Sequence, residues 1–242
     1  MSETTIRSVS RALSILQVFR SEDAEITLSE IARRSGLNKM TALRLLGTLE
    51  EQRYVDRLGS GGYRLGGAVM QLAQVFSSSL RLEDYVMPSL ERLAQESSES
   101  SAYYRRDKEF RLCLFRVDSA HQVRAQTRVG DRVPLPLGGF GRTLMRFEDP
   151  ECCRSGCPAL IISHGERNSD LATVAAPVFD FTHKIVGTLG VSLPSFRYND
   201  EVESSLCAMV LREAINVTEK LGGNADFLRA ASTEDFIVFD GR

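Results

Sequence analysis

Apolar residues at Val9, Ala12, Leu13, Leu16 and Phe19 recur at the three-and-four spacing of a single buried helical stripe, which predicts a first helix with Ser8 as its cap. A polar break, Ser21-Glu22-Asp23, follows. The run Thr27-Leu28-Ser29-Glu30 has the form of a capping box, with Ile26 and Ile31 spaced to staple across it. The helix it opens must be short. Gly36 stands where a left-handed C-terminal residue is wanted, and Asn38 can cap another helix immediately afterwards. That third helix has a dry face of Ala42, Leu45, Leu46 and Leu49, which turns Thr41, Arg44 and Thr48 away from the core. Tyr54-Val55, the turn-rich Leu58 to Gly62 and Tyr63-Arg64-Leu65 then read as a hairpin with a flexible tip.

Helix, short helix, donor-rich helix and hairpin, in that order, describe a winged helix-turn-helix. Its third helix suits the major groove of duplex DNA, and its wing suits the backbone. Asn38 and Lys39 are expected near phosphates, Thr41, Arg44 and Thr48 along the groove, and Arg57 and Arg64 at wing-side phosphates. A small helical domain with solvated arginines shares each feature singly, but not the ordered set.

The pattern beyond the hairpin is more mixed. Val86, Leu90, Leu93 and Ala94 mark a further helix. Phe110 to Val117 and Gln122 to Thr127 are predicted strands, with Arg106 to Glu109 as the hairpin tip before the first. Ile185 to Leu193 alternates bulky residues with Val186, Thr188, Gly190 and Ser192, as a strand with one small face does. A long helix from about Asp200 to Leu221 stops at Gly222-Gly223. Strands flanked by helices predict an α+β domain.

Composition adds bounds. At 242 residues, with 43% hydrophobic and 26% charged residues, the chain is expected to form two globular domains. The opening MSETTIRSVS lacks the pattern of a secretory signal and no apolar run is long enough for a span, so a cytoplasmic protein with no membrane partner is expected. The net charge is −2, yet residues 33–64 hold seven cations against three carboxylates, a basic segment in a slightly acidic chain. Five cysteines, an odd number, suit reduced thiols. Cys152, Cys153 and Cys157 with His164 could form part of a zinc or redox site, but the second ligand pair of a structural zinc site is missing, so no metal or cofactor is assigned. No nucleophile elbow, metal-binding histidine pair or phosphate loop is present, and His121, His164 and His183 are far apart in sequence; catalysis is the weakest reading.

The stretches RALSILQVF, LSEIARRSGLNKMTALRLLGTLEEQRYV and YRLG resemble the IclR family of bacterial transcriptional regulators. A thinner likeness continues through VGDRVPLPLGGFGRTLM and VAAPVFDFTHKIVGTLGVSLP. The resemblance implies a winged-helix DNA-binding domain over 1–66, a dimerising linker helix over 67–80, and a GAF/profilin-like, antiparallel-sheet effector domain over 81–223. Residues 224–242 are a tail, for which packing on a neighbouring subunit and disorder are both open. It further implies a homodimer or dimer of dimers on double-stranded operator DNA, with a small organic or aromatic acid as effector.

Gly138 to Gly141 precede the helical Arg142 to Met145, so free amides at a helix start can meet a carboxylate. The resemblance puts Gly139 and Phe140 in that role and adds Val133, Thr173 and Ser192 to the lining. Pro136 stands where the family has a histidine, and Thr173 where it often has a cysteine. The segment 148–172 is shorter than the family's, and its pair of amphipathic helices is not evident.

Overall fold

The computed structural model describes residues 6–20, 22–79, 81–153, 156–166 and 168–241, with 77–79 described by backbone alone. Ser21 of the expected polar break and Leu80 at the end of the expected linker lie outside these, as do Arg154, Ser155 and Arg167 of the cysteine-bearing stretch. The chain divides into two compact units, Met1–Leu80 and Arg81–Arg242.

In the first unit, helix α1 spans Arg7–Leu16, α2 Leu28–Ser35 and α3 Lys39–Glu51. Strands β1 (Val55–Arg57) and β2 (Tyr63–Leu65) pair antiparallel, and α4 (Gly67–Ser79) follows. The core is Ile15, Val18, Ile26, Ile31, Ala42, Leu46, Leu49, Val55 and Tyr63. Its two termini signals at α2 are realised: the Thr27 hydroxyl accepts the Glu30 N–H, and Gly36 ends the helix at φ 68° in the left-handed region. Asn38 caps α3 by accepting the Thr41 N–H at 2.8 Å.

Three details depart from the sequence reading. Ile6, not Ser8, is the residue before α1, and it makes no side-chain cap; Ser8 already lies in the first turn. The stripe of α1 is rotated toward Ile15, which leaves Val9 and Leu13 exposed. The hairpin tip is pinned rather than loose, because Ser60 donates to Glu25 at 2.8 Å and Ile26 exchanges backbone hydrogen bonds with Tyr63 as a third strand position.

The second unit begins with α5 (Leu82–Ser97), then β3 (Ser100–Asp107), β4 (Phe110–Val117) and β5 (Arg132–Pro134). Helix α6 (Gly138–Arg146), a short 3-10 turn at Pro150–Cys153 and β6 (Leu160–His164) follow. The chain continues through β7 (Leu171–Phe179), β8 (Ile185–Pro194), α7 (Asp200–Lys220), α8 (Asp226–Ala230) and β9 (Phe236–Asp240). Seven strands form one sheet in the order β5-β4-β3-β8-β7-β6-β9. The two-residue period of β3 divides its faces. Ser101 donates to the Leu90 carbonyl of α5, whereas Ala102 and Tyr104 join the cluster of Phe140 and Leu144 from α6.

The α+β class holds, with corrections within it. Gln122 to Thr127 is not a strand. The place beside β4 is taken by β5, and the segment runs irregularly with Ala125 and Thr127 buried. The sheet is mixed, because the expected tail returns as β9 and pairs parallel with β6 along Leu160 to His164.

Candidate nucleic-acid interface and effector cavity

Helix α3 turns Ala42, Leu46 and Leu49 inward. Its position is fixed by α2, which is itself clamped by Arg34. That guanidinium bonds the Val18 carbonyl at 3.0 Å, the Asp23 carboxylate and Glu30 at 2.7 Å, joining the α1 end to α2. Arg33 also binds Glu30 at 2.9 Å. These two arginines hold the Glu30 carboxyl at about 2, far below the usual carboxylate range, and Arg34 lowers that of Asp23. Arg33 and Arg34 are thus committed to carboxylates, so the basic character counted over residues 33–64 belongs mainly to the cations after them.

Lys39 and Arg44 are exposed and, among the described residues, form no ion pair with a carboxylate. Thr41 is half-buried on the shoulder of α3. The Thr48 hydroxyl donates back to the Arg44 carbonyl at 3.4 Å. On the hairpin, Arg57 lies over the Tyr63 ring at 5.9 Å and Arg64 pairs with Asp56 at 3.3 Å. Asn38 and Lys39 are thus exposed at the start of α3 and Arg44 and Thr48 on its outward side, while Arg57 and Arg64 stand on the paired strands. The sequence reading missed Met40 and Leu43. Both project into solvent from α3, at 67% and 38% exposure. Their signal was legible in the helical wheel, on which neither belongs to the dry face.

In the second unit, α6 lies over a floor of small residues. Thr173 pairs with Ser192 across β7 and β8 and with Ser163 across β6; its hydroxyl is 3.3 Å from that of Ser192. Between this floor and α6 is a cavity of about 30 Å³, lined among others by Tyr104, Arg111, Phe140, Ser163, Glu166, Thr173 and Ser192. That is room for roughly one water. Of the expected lining, Phe140, Thr173 and Ser192 meet here and Gly139 adjoins them. Val133 does not: it is buried on β5 opposite Arg111 and is not part of the lining.

The amides at the α6 start are not free. The Gly138 N–H donates to the Glu166 carboxylate at 2.9 Å and the Gly139 N–H to the Ser163 hydroxyl at 2.7 Å. Gly138 to Gly141 lie inside the helix rather than before it. Arg142, one turn on, grips the same carboxylate, whose side chain is only 7% exposed. The Arg142 guanidinium in turn lies 4.5 Å from the centre of the Phe239 ring on β9, and Gly241 passes so close that an added Cβ would stand 2.7 Å from the Glu166 Cα. An internal acid thus occupies the positive end of α6, roofed by the C-terminal strand.

The cysteines are free thiols. Burial pushes the Cys153 thiol up to about 11, which disfavours a reactive thiolate. His164 packs edge-on against Tyr198 at 4.6 Å. Among the described residues no three His, Cys, Asp or Glu side chains converge to hold a metal ion, and no helix is long and apolar enough to cross a membrane.

Comparison with known proteins matches residues 8–59 to the IclR helix-turn-helix domain. The chain is 23% identical to the HTH-type transcriptional regulator KipR of Bacillus subtilis over 246 residues, covering 89% of this chain and 97% of that one. Its fold is similar to that of the repressor BlcR of Agobacterium tumefaciens, with a TM-score of 0.72 at 21% identity, covering 91% of this chain and 99% of that one. It is also similar to an IclR homologue of Microbacterium hydrocarbonoxydans in complex with 4-hydroxybenzoate. The TM-score there is 0.50 at 20% identity, covering 89% of this chain and 99% of the other.

Proposed function

Because the chain belongs to the IclR family of transcriptional regulators, we propose that it is a one-component regulator whose grip on operator DNA is set by a small organic acid. The observation that carries the reading is the coincidence of the matched residues 8–59 with a capped helix, left-handed turn and helix that leaves Lys39 and Arg44 exposed. In this reading residues 1–66 bind DNA, 67–80 join two chains as a homodimer or dimer of dimers, and 81–223 receive the effector. Arg44, Thr41 and Thr48 read the groove; Asn38, Lys39, Arg57 and Arg64 hold the backbone. Each paired phosphate releases counterions, so binding should weaken steeply with salt. A mobility-shift titration of the full chain on duplex DNA at several salt concentrations is the test, and salt-independent or absent binding overturns it.

The acid would enter beneath α6 against Gly139, Phe140, Thr173 and Ser192, taking the Gly138 amide and Arg142 from Glu166 as it does so. Since an IclR homologue is complexed with 4-hydroxybenzoate, that acid is a suitable first probe beside acetate, pyruvate and benzoate. A second reading, a DNA-binding regulator without a small-molecule response, is favoured by the 30 Å³ size of the cavity. The two readings part on one measurement: whether any of these acids shifts operator affinity in the same titration.

A further inference from the structure

The outward face of α3 carries two bulky apolar side chains in its N-terminal half, among polar ones. On a helical wheel centred opposite Ala42, Leu46 and Leu49, the outermost residues are Met40, Arg44, Gly47 and Glu51, with Thr48 on one flank and Leu43 on the other. Met40 is 67% exposed and Leu43 38% exposed. Gly47 has open space around the position a Cβ would take, with nothing within 4 Å. The N-terminal half of the helix thus offers one charged fork, Arg44, flanked by two bulky apolar side chains, and then the bare backbone of Gly47 before Thr48 and Glu51.

A thioether and an isobutyl group cannot read hydrogen-bonding edges, but they can bury the one apolar group the major groove displays, the C5 methyl of thymine. Arg44 can bind guanine O6 and N7 bidentately. Resting on the proposal that α3 enters the major groove, we infer that Met40 and Leu43 are specificity-determining residues that select thymine methyls next to the guanine read by Arg44. The spacing fits. Met40 and Arg44 are four residues apart, about 6 Å along the helix at 1.5 Å per residue, which corresponds to about two base-pair steps. The half-site therefore holds thymine within about two base pairs of its guanine. Gly47, lacking a side chain, lets the following turn of α3 approach the bases without a competing contact.

The test starts from duplexes selected out of a random pool by the full-length chain. In the selected site, each thymine near the conserved guanine is replaced singly by deoxyuridine, which removes the methyl and leaves every hydrogen-bonding edge intact. The expected result is binding about fourfold weaker for each contacted methyl, from the cost of exposing one buried carbon. Met40→Ala or Leu43→Ala should abolish that penalty while leaving the preference for guanine in place. The inference is overturned if deoxyuridine binds as thymine does. It is equally overturned if the penalty survives both alanine substitutions, or if Met40→Ala lowers the oligomeric mass instead, which would assign these side chains to a protein surface. Failure of the DNA reading looks different: no duplex is selected at all, or Arg44→Ala leaves the guanine preference unchanged.

Discussion

Arg33, Arg34, Lys39 and Arg44 lie close together in sequence, but they do different work. The first two are bound by Glu30 and Asp23 and hold α2 in place, whereas the last two face solvent with no carboxylate partner among the described residues. Arg44→Ala should cost about 1 to 3 kcal/mol on the preferred operator and relax its sequence preference. Lys39→Ala should weaken all duplexes alike and reduce the slope of log affinity against log salt by about one. Mobility-shift titrations on operator and scrambled duplex separate the two outcomes. In the other unit, an alanine Cβ at Gly141 would fall 1.7 Å from the Leu135 carbonyl oxygen, whereas at Gly139 the nearest atom is Thr173 Cγ2 at 3.2 Å. Gly141→Ala should therefore destabilise the second unit by roughly 1 to 3 kcal/mol, and Gly139→Ala by less. Denaturant midpoints of the full chain check this order.

At the scale of elements, the legible ones were those with chemical punctuation. Helices α2, α3 and α7 carry a cap at one end or a glycine stop at the other, and α4 has the bounds that the family resemblance implies. The hidden ones were strands whose surroundings override local pattern. Leu160 to His164 reads only as a short apolar run, which periodicity cannot distinguish from a piece of core helix until its neighbours are known. Phe236 to Asp240 lacks alternation and finds its partner far back in the chain, at β6. Gln122 to Thr127 has the alternation but not the place, since β5 already occupies the edge of β4. The candidate cavity followed the same rule. Phe140, Thr173 and Ser192 were found, but Glu166, brought in by a turn between unpredicted neighbours, was not.

A pH prediction also belongs to elements. The carboxyls of Glu30 and Asp23 are depressed by Arg33 and Arg34, so their bridging of α1 and α2 stabilises the first unit fully above the ordinary carboxylate range of about 4. It is lost as pH falls toward about 2, where Glu30 takes up its proton. Melting of the first unit should fall between pH 5 and pH 2. Arg34→Ala should flatten that fall while lowering the melting temperature at pH 7, and circular dichroism melts of both proteins measure it.

For the whole molecule, the sheet of the second unit has two unlike edges. One is β5, three residues long and carrying Pro134, a length and a residue that discourage pairing with another chain. The other is β9, contributed by the last residues of the chain, which covers the buried strand β6. Removing 233–242 should expose β6, lower the melting temperature of the second unit and promote association, seen by sedimentation. Salt-dependent duplex binding, a property assigned to the first unit, should persist. The same strand roofs the Glu166 carboxylate in its seat on Gly138 and Arg142. A tethered group of this kind competes at an effective concentration on the order of millimolar. Under the proposed function, an acid arriving from solution would have to outbid a rival that never diffuses away, so its dose-response curve would be displaced toward higher concentration. A regulator of the proposed kind would ignore trace amounts of its signal and answer only to an abundant pool, with the threshold written into one side chain: Glu166→Gln should move the response to lower acid concentrations.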